Sequence, residues 1–392
     1  MIVTLPDTST TAVDKRLLQM RDEGGAVALG RVLTLVIVAC EQDIEMAVTA
    51  ANDASHEHPC RVIVVVTSQQ GQPGPASATA PETVAEVAPE TVPARLDAEI
   101  RVGSDSGASE VIILRVQGPP AGQLDAVIMP LLVPDAPICV WWPRHAPHDT
   151  AHDPLGRMAQ VRITDSALAP DHVDFLRHRA STYVAGDTDL AWARLTAWRG
   201  LLAAALDQPP YLPVTSAHVE GESRLPALDL LCAWLTDRLT CPVTLQPYEG
   251  LPGVSKVVLH RQAADGSSRD ITLHRPDGRL LTVSQPGLPD RQLVLYQRTL
   301  SEALVEELRR LSVDQVYAQT LTQGLPLFAR TGSTAPPQPA PALGAPGQVL
   351  PSITQAAVSQ ASANSGTCQT AGGSQAAVPH TCLPQASNGS AL

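Results

Sequence analysis

The sequence predicts an α/β amino-terminal domain with a mostly parallel sheet, followed by an α+β domain built on an antiparallel meander and a disordered carboxyl-terminal tail. Three observations predict this. The runs 32-VLTLVIVA-39 and 61-RVIVVVT-67 are apolar almost throughout, and a strand without polar alternation is covered on both faces, as in a parallel sheet packed between helices. Between 255 and 298 the pattern turns to alternation interrupted by Asp265-Gly266 and Asp277-Gly278, dipeptides that close short hairpins. The chain has 392 residues, 44% of them hydrophobic, enough for two ordinary cores, since a single core rarely grows past about 250–300 residues.

Taken in order, a helical segment near 11–23 precedes the strand 32–39, an alanine-rich helix follows from about 43 to 55, and the strand 61–67 comes next. Residues 69–94 repeat APETV and are rich in proline and small side chains, the composition of a flexible insert. Strands are predicted at 96-LDAEIRV-102, 111-VIILRV-116 and 137-PICVWW-142, with a helical stretch near 119–129. This gives a first domain over 1–180. The second, 181–330, opens with a long interdomain helix over 187–207 and contains the hairpin runs 270-DITLHR-275 and 279-RLLTVS-284. Thr299 and Glu302 form a T-x-x-E capping box for the helix 300-LSEALVEELRRL-311. From 331 to 392 there is no Asp, Glu, Lys or Arg, and a tail that buries so little apolar surface does not offset its ordering entropy.

A net charge of −12 argues against nucleic acid as a partner, because a phosphate-tracking surface needs a cationic surplus. The longest apolar stretch, 32-VLTLVIVAC-40, falls short of the roughly 18–20 residues that span a bilayer, so a soluble cytoplasmic protein with no membrane partner is expected. The seven cysteines form no C-x-x-C pair, as suits a reducing compartment. Cys232 and Cys241 are the pair weighed for redox control, against the plainer reading as buried free thiols.

Chemistry-bearing motifs are few. The turn 103-GSDSG-107 has neither G-x-x-x-x-G-K-[ST] nor G-x-G-x-x-G, and Asp105 and Glu110 would repel a phosphate. His56, His58 and Cys60 alternate, but Pro59 favours a helix-to-strand loop. His148 and His152 are four apart beside Asp149 and Asp153, and with Arg144 and His145 they outline an alternative reading: a metal-dependent or sugar-phosphate enzyme at a strand end. Two ligands without a third define no metal centre, so no metal, cofactor or catalytic residue is assigned. In 187-DTDLAWARLTAWRGLLAAALD-207, Trp192, Leu195, Arg199, Leu202 and Leu206 share one helical stripe and Leu190, Arg194, Trp198, Leu201 and Ala205 the opposite one. A helix apolar on two sides is buried on two sides. Trp and Arg also dominate binding hot spots, which makes Trp141, Trp142, Arg144, Arg194 and Trp198 the candidate partner-binding residues. Alternation along the strand assigns one of the two adjacent tryptophans to the core.

The runs 24-GGAVALGRVLTLVIV-38, 57-EHPCRVIVVV-66, 95-RLDAEIRVGSDSGASEVIILRVQG-118, 131-LLVPDAPICVWWP-143, 189-DLAWARLTAWRGLLAAALD-207 and 269-RDITLHRPDGRLLTVSQPG-287 together resemble the OpcA family of glucose-6-phosphate dehydrogenase assembly proteins. The resemblance extends over about residues 15–328 and leaves the 69–94 insert and the tail unaccounted for. It implies a non-catalytic partner that binds glucose-6-phosphate dehydrogenase and promotes its assembled, active form, an allosteric activator supporting NADPH production in the oxidative pentose phosphate pathway.

Overall fold

The computed structural model describes residues 1–24, 32–67, 93–102, 110–249, 253–331, 333–334 and 338–339. Positions 69–92 of the expected insert, the turn 103–107 and 340–392 of the expected tail lie outside the described residues. The elements of the first sheet and its helices are β1 (Ile2–Leu5), α1 (Thr10–Gly24), β2 (Leu33–Ala39), α2 (Ile44–Ser55), β3 (Cys60–Thr67), β4 (Arg95–Arg101), β5 (Glu110–Gln117), α3 (Leu124–Ile128), β6 (Ile138–Trp142), β7 (Val161–Thr164), α4 (His172–Thr182) and β8 (Asp187–Asp189). Two short helices follow, α5 (Leu190–Ala193) and α6 (Thr196–Leu206). The second sheet contributes β9 (Val214–Glu222), α7 (Pro226–Leu239), β10 (Val243–Glu249), β11 (Val254–Arg261), β12 (Ile271–His274), β13 (Leu280–Ser284) and β14 (Arg291–Val294). The chain continues through α8 (Leu300–Arg309), α9 (Gln315–Gln319), α10 (Leu325–Thr331), β15 (Ser333–Thr334) and β16 (Gln338–Pro339).

The first sheet runs β1-β4-β5-β3-β2-β6-β7-β8. From β5 to β8 every pairing is parallel, and β4 and β1 add an antiparallel edge. Its strands are apolar on both sides because both sides are covered. Leu35, Ile37, Val62, Val64, Cys139 and Trp141 pack with α2 and α8, whereas Val36, Val38, Ile63, Val65, Val140 and Trp142 pack with α1 and the 124–132 segment.

The second sheet follows the order β14-β13-β12-β11-β9-β10-β15. From β9 through β11 to β14 it is antiparallel, the expected meander, while β9 and β10 are parallel across α7. Gly266 and Gly278 sit at φ +81° and +72°, the left-handed geometry that an Asp-Gly turn demands. Strand β9 alternates, with Ala217 and Val219 buried beneath α7 and Ser216, His218 and Glu220 on the open side. Beyond α10, the short strands β15 and β16 lie parallel beside β10.

The expected single helix over 187–207 is corrected. Residues 187–189 are β8, the last strand of the first sheet, and the helix after it is interrupted at Arg194 and Leu195. Asp189 is extended, at φ −138° and ψ 136°, and its carboxylate accepts the Ala191 amide as an N-cap while it also takes the hydroxyls of Thr164 and Ser166. The two halves are also interlaced, since α8, which follows the second sheet, contributes Ala303, Leu304 and Leu308 to a core cluster of the first.

Candidate functional site at the strand mouth and sheet junction

In an open parallel sheet, ligands bind outside the carboxyl ends of the strands where the winding reverses. Here that point lies between β2 and β6, because the chain goes from β2 to β3 on one side and later returns to β6 on the other. The β2 end supplies Cys40, and the turn after it supplies Glu41 and Asp43 ahead of α2. The β6 end supplies Arg144. Asp43 accepts Arg144 Nε at 3.1 Å and Nη2 at 3.2 Å, and takes the Cys40 thiol at 2.8 Å. Hydrogen bonding from Arg144 holds the Asp43 carboxyl below its usual range. Burial, reinforced by Asp43, raises the Cys40 thiol and keeps it protonated. Glu41 is engaged by Arg115 through Nε at 3.0 Å and Nη2 at 2.7 Å. The helix start that would cradle a nucleotide phosphate therefore presents two carboxylates, and like charge opposes such a ligand.

Trp141 and Trp142 both belong to the core, at 0% and 2% exposure, which corrects their placement as surface contacts. Alternation sends them to opposite faces, and each face has its own cover. Trp198 is 4% exposed, with the Arg275 guanidinium 5.6 Å from its ring centroid. Arg194, its side chain 12% exposed, is held against Asp165 in a two-point pair at 2.8 and 2.9 Å. Of the five candidates, only Arg144 has a side chain about one-third exposed, at 34%.

The strand-end histidines do not assemble a site. His148 meets His178 in a tilted ring contact with centroids 3.7 Å apart, and His152 pairs with Asp149 at 2.8 Å. The segment is a series of turns rather than a helix, so the four-residue spacing does not align the two rings. Among the described residues, no three His, Cys, Asp or Glu side chains converge to hold a metal ion.

Cys232 and Cys241 are both free and buried, and burial raises both thiols, Cys232 well above its ordinary value. Burial likewise pushes Cys60 and Cys139 up to about 12. The thiolate is the reactive species, so Cys60, Cys139 and Cys232 are expected to stay unmodified by a thiol reagent in the native protein and to react once it is unfolded. Mass spectrometry of the labelled peptides checks this, and native labelling of Cys232 would count against its burial.

A second centre, which the sequence reading missed, joins the two halves. Asp189 is fully buried and accepts the Thr164 hydroxyl at 2.7 Å, the Ser166 hydroxyl at 2.8 Å and the Ala191 amide at 2.9 Å. Burial, with the neighbouring Asp165 charge adding to it, raises its pKa to about 6. Nearby, Thr188, Trp192, Thr196, Arg199, Glu307 and Asp314 line a cavity of about 20 Å³, room for roughly one water. The Trp192 indole donates to Asp314 at 2.9 Å, and the Arg199 guanidinium lies 3.6 Å over the Trp192 ring. Thr188 Oγ1 donates to Glu307 at 2.8 Å. One signal of this centre was present in the sequence. In the capped helix, positions 300, 303, 304, 308 and 311 form an apolar stripe, and Glu307 occupies the position in that stripe where another apolar residue would fit.

Two family descriptions match the chain. The glucose-6-phosphate dehydrogenase subunit N-terminal domain of OpcA covers residues 51–181, and the corresponding C-terminal domain covers 185–321. A curated relative, the putative OxPP cycle protein OpcA of Synechococcus elongatus, is 26% identical over 271 residues, 65% of this chain. The match spans about half of that relative, 53% of its length. Solved structures with some likeness include the WlbA dehydrogenase from Chromobacterium violaceum, at 10% identity and TM-score 0.31 over 77% of this chain and 93% of that one. Another is an oxidoreductase from Sinorhizobium meliloti, at 9% identity and TM-score 0.34 over 76% of this chain and 95% of that one. Likeness this slight carries no inference about activity.

Proposed function

Since the chain belongs to the OpcA family of glucose-6-phosphate dehydrogenase subunit proteins, we propose that it is a non-catalytic assembly factor and allosteric activator of glucose-6-phosphate dehydrogenase, acting in the cytoplasm in support of NADPH production. The observation that carries this reading is the pair of family matches, one on each half, abutting between residues 181 and 185. The same junction supports dividing the chain into functional domains at 180/181. At the strand mouth Glu41 and Asp43 oppose an anionic ligand and Arg144 pairs with Asp43, which supports a reading without nucleotide chemistry there. Arg144 is the contact residue proposed at the surface. Trp141 and Trp142 lie in the strand that leads to Arg144 and are buried, and Trp198 and Arg194 are engaged within the fold.

Activation of this kind needs no chemistry from the activator. A protein that binds the active form of an enzyme more tightly than the inactive form shifts the equilibrium by its differential affinity alone. If that active form also binds substrate better, substrate tightens the complex by the same factor, about 5–150-fold for a coupling of roughly 1–3 kcal/mol. The test is co-purification with the dehydrogenase of the same organism, with affinity measured in the presence and absence of glucose 6-phosphate. The expected result is a complex that substrate tightens and that Arg144→Ala weakens under conditions where melting shows the variant to be fully folded. No complex at all would sink the reading, and equal affinity with and without substrate would sink the allosteric part of it.

A further inference from the structure

Apart from the two-residue strands β15 and β16, the outer strands of the two sheets are β1, β8, β14 and β10 among the described residues. Three of them are short: β1 and β14 have four residues each and β8 has three. A short edge offers little to an added strand. β10 is longer, with the seven residues VTLQPYE, of which Val243, Leu245 and Pro247 are buried and Thr244 is exposed. An edge of that length, apolar on one face and without charge before Glu249, is a template for strand addition between copies.

The main-chain groups that β10 offers follow from its other side. The Ala217 amide on β9 donates to the Pro242 carbonyl, and the Ser223 amide donates to that of Tyr248. Bonding alternates along a parallel ladder, so Thr244, Gln246 and Tyr248 serve β9, and Val243, Leu245, Pro247 and Glu249 turn their main chain outward. These outward groups are met by the chain itself. Ser333 and Thr334 of β15 lie opposite Thr244 and Leu245, and Gln338 and Pro339 of β16 lie opposite Tyr248 and Glu249. Of two residues opposite each other in a parallel pair, one turns its main chain into the pair and the other away. Ser333 and Gln338 therefore face β10, while Thr334 and Pro339 face the outside, where a missing N–H is tolerated. The stretch 333-STAPPQPAP-341 holds four prolines, which makes it a poor template for a further strand.

Two pairings of two residues each would hold a free peptide weakly, but this one is tethered. Helix α10 ends at Thr331, two positions before Ser333, and its Phe328 belongs to the second-sheet core. Gly324, just before α10, packs so closely on α7 that a Cβ there would come within 2.5 Å of the Ala233 carbonyl oxygen. A fixed starting point makes the pairing intramolecular, with a correspondingly high effective concentration.

We propose that residues 333–339 are an edge guard: a tethered strand, closed to the outside by proline, that occupies the β10 edge in cis and keeps a second copy of the chain from adding there. The guard governs association between copies and does not rest on the function proposed above.

Full-length variants test it by the direction in which a proline faces. Ser333→Pro combined with Gln338→Pro turns two rings against β10 and removes the two donors that face it, whereas Thr334→Pro adds one ring on the outward side. Amide hydrogen exchange, followed by NMR at a dilution where each variant is monomeric, should find Leu245 and Glu249 protected in wild type along with Thr244, Gln246 and Tyr248. In the double variant Leu245 and Glu249 are expected to exchange roughly tenfold faster or more, while the other three keep their rates. Light scattering should then show the double variant associating as concentration rises, and Thr334→Pro should match wild type in both measurements. Fast exchange of Leu245 and Glu249 in wild type, or wild-type rates in the double variant, overturns the seating of the segment and the guard with it. Faster exchange without association overturns the guarding role. A Thr334→Pro variant that behaves like the double variant overturns the assignment of faces.

Discussion

Replacing Trp141 by alanine is expected to destabilise the protein by about 3–5 kcal/mol, the range for truncating a large aromatic side chain in a core. The indole is fully buried on the middle of the first sheet, in the cluster that holds Ile37, Cys139, Leu190, Ala193, Ala303 and Leu308. Those residues come from both halves of the chain, so the cavity left behind would open where α5 and α8 meet the sheet, and neither helix can collapse into it without breaking its other contacts. The measurement is the urea midpoint of Trp141→Ala against wild type, with Tyr211→Ala as control. Tyr211 is 76% exposed, and its truncation should stay within about 0.5 kcal/mol. Equal midpoints for Trp141→Ala and the control would show that this face of the sheet is not packed as described. Loss of dehydrogenase activation in Trp141→Ala without loss of stability would instead make the indole a contact.

The second large effect is expected from Asp165→Ala. Asp165 is buried and pairs with Arg194, itself mostly buried, through two charge-assisted hydrogen bonds at 2.8 and 2.9 Å. Removing one partner leaves the guanidinium in a poorly solvated place, a cost of about 3–5 kcal/mol, whereas replacing both partners by apolar residues of similar volume is often near neutral. The double variant Asp165→Leu/Arg194→Met should therefore recover most of what Asp165→Ala loses. A second readout is the pH dependence. Asp189 is raised to about 6 by burial and then by the Asp165 charge. Its folded pKa lies above the unfolded one, so its contribution is complete below the unfolded value and is lost as pH rises through about 6. Without the Asp165 charge the Asp189 pKa falls, and that loss should shrink. If Asp165→Ala unfolds at the wild-type urea midpoint, the stabilising role given to the pair is overturned.

The sequence by itself determined many of the elements and the predominant kind of sheet in each half. Uninterrupted apolar runs such as 32–39 and 61–67 fell on central parallel strands, and Asp265-Gly266 and Asp277-Gly278 fell in the turns of the meander. The capping box at Thr299 and Glu302 started α8 where it was expected. Each of these is a local property: periodicity, turn chemistry and capping are decided by neighbours a few residues away. The resemblance carried by those runs also identified the family.

Tertiary structure alone decided which side chains remain available to a partner. Periodicity places Trp141 and Trp142 on opposite faces, but whether a face is open depends on what arrives to cover it. The cover for Trp141 includes α8, more than 150 positions later. Asp189 turned a continuous helical pattern into a strand end and a cap because its carboxylate found Thr164 and Ser166 on the neighbouring strand end. Arg144 found Asp43 across 101 positions and Glu307 found Thr188 across 119. A side chain's chemistry is written in the sequence, but its burial, its partner and hence its pKa depend on contacts between distant segments, which only the folded chain brings together.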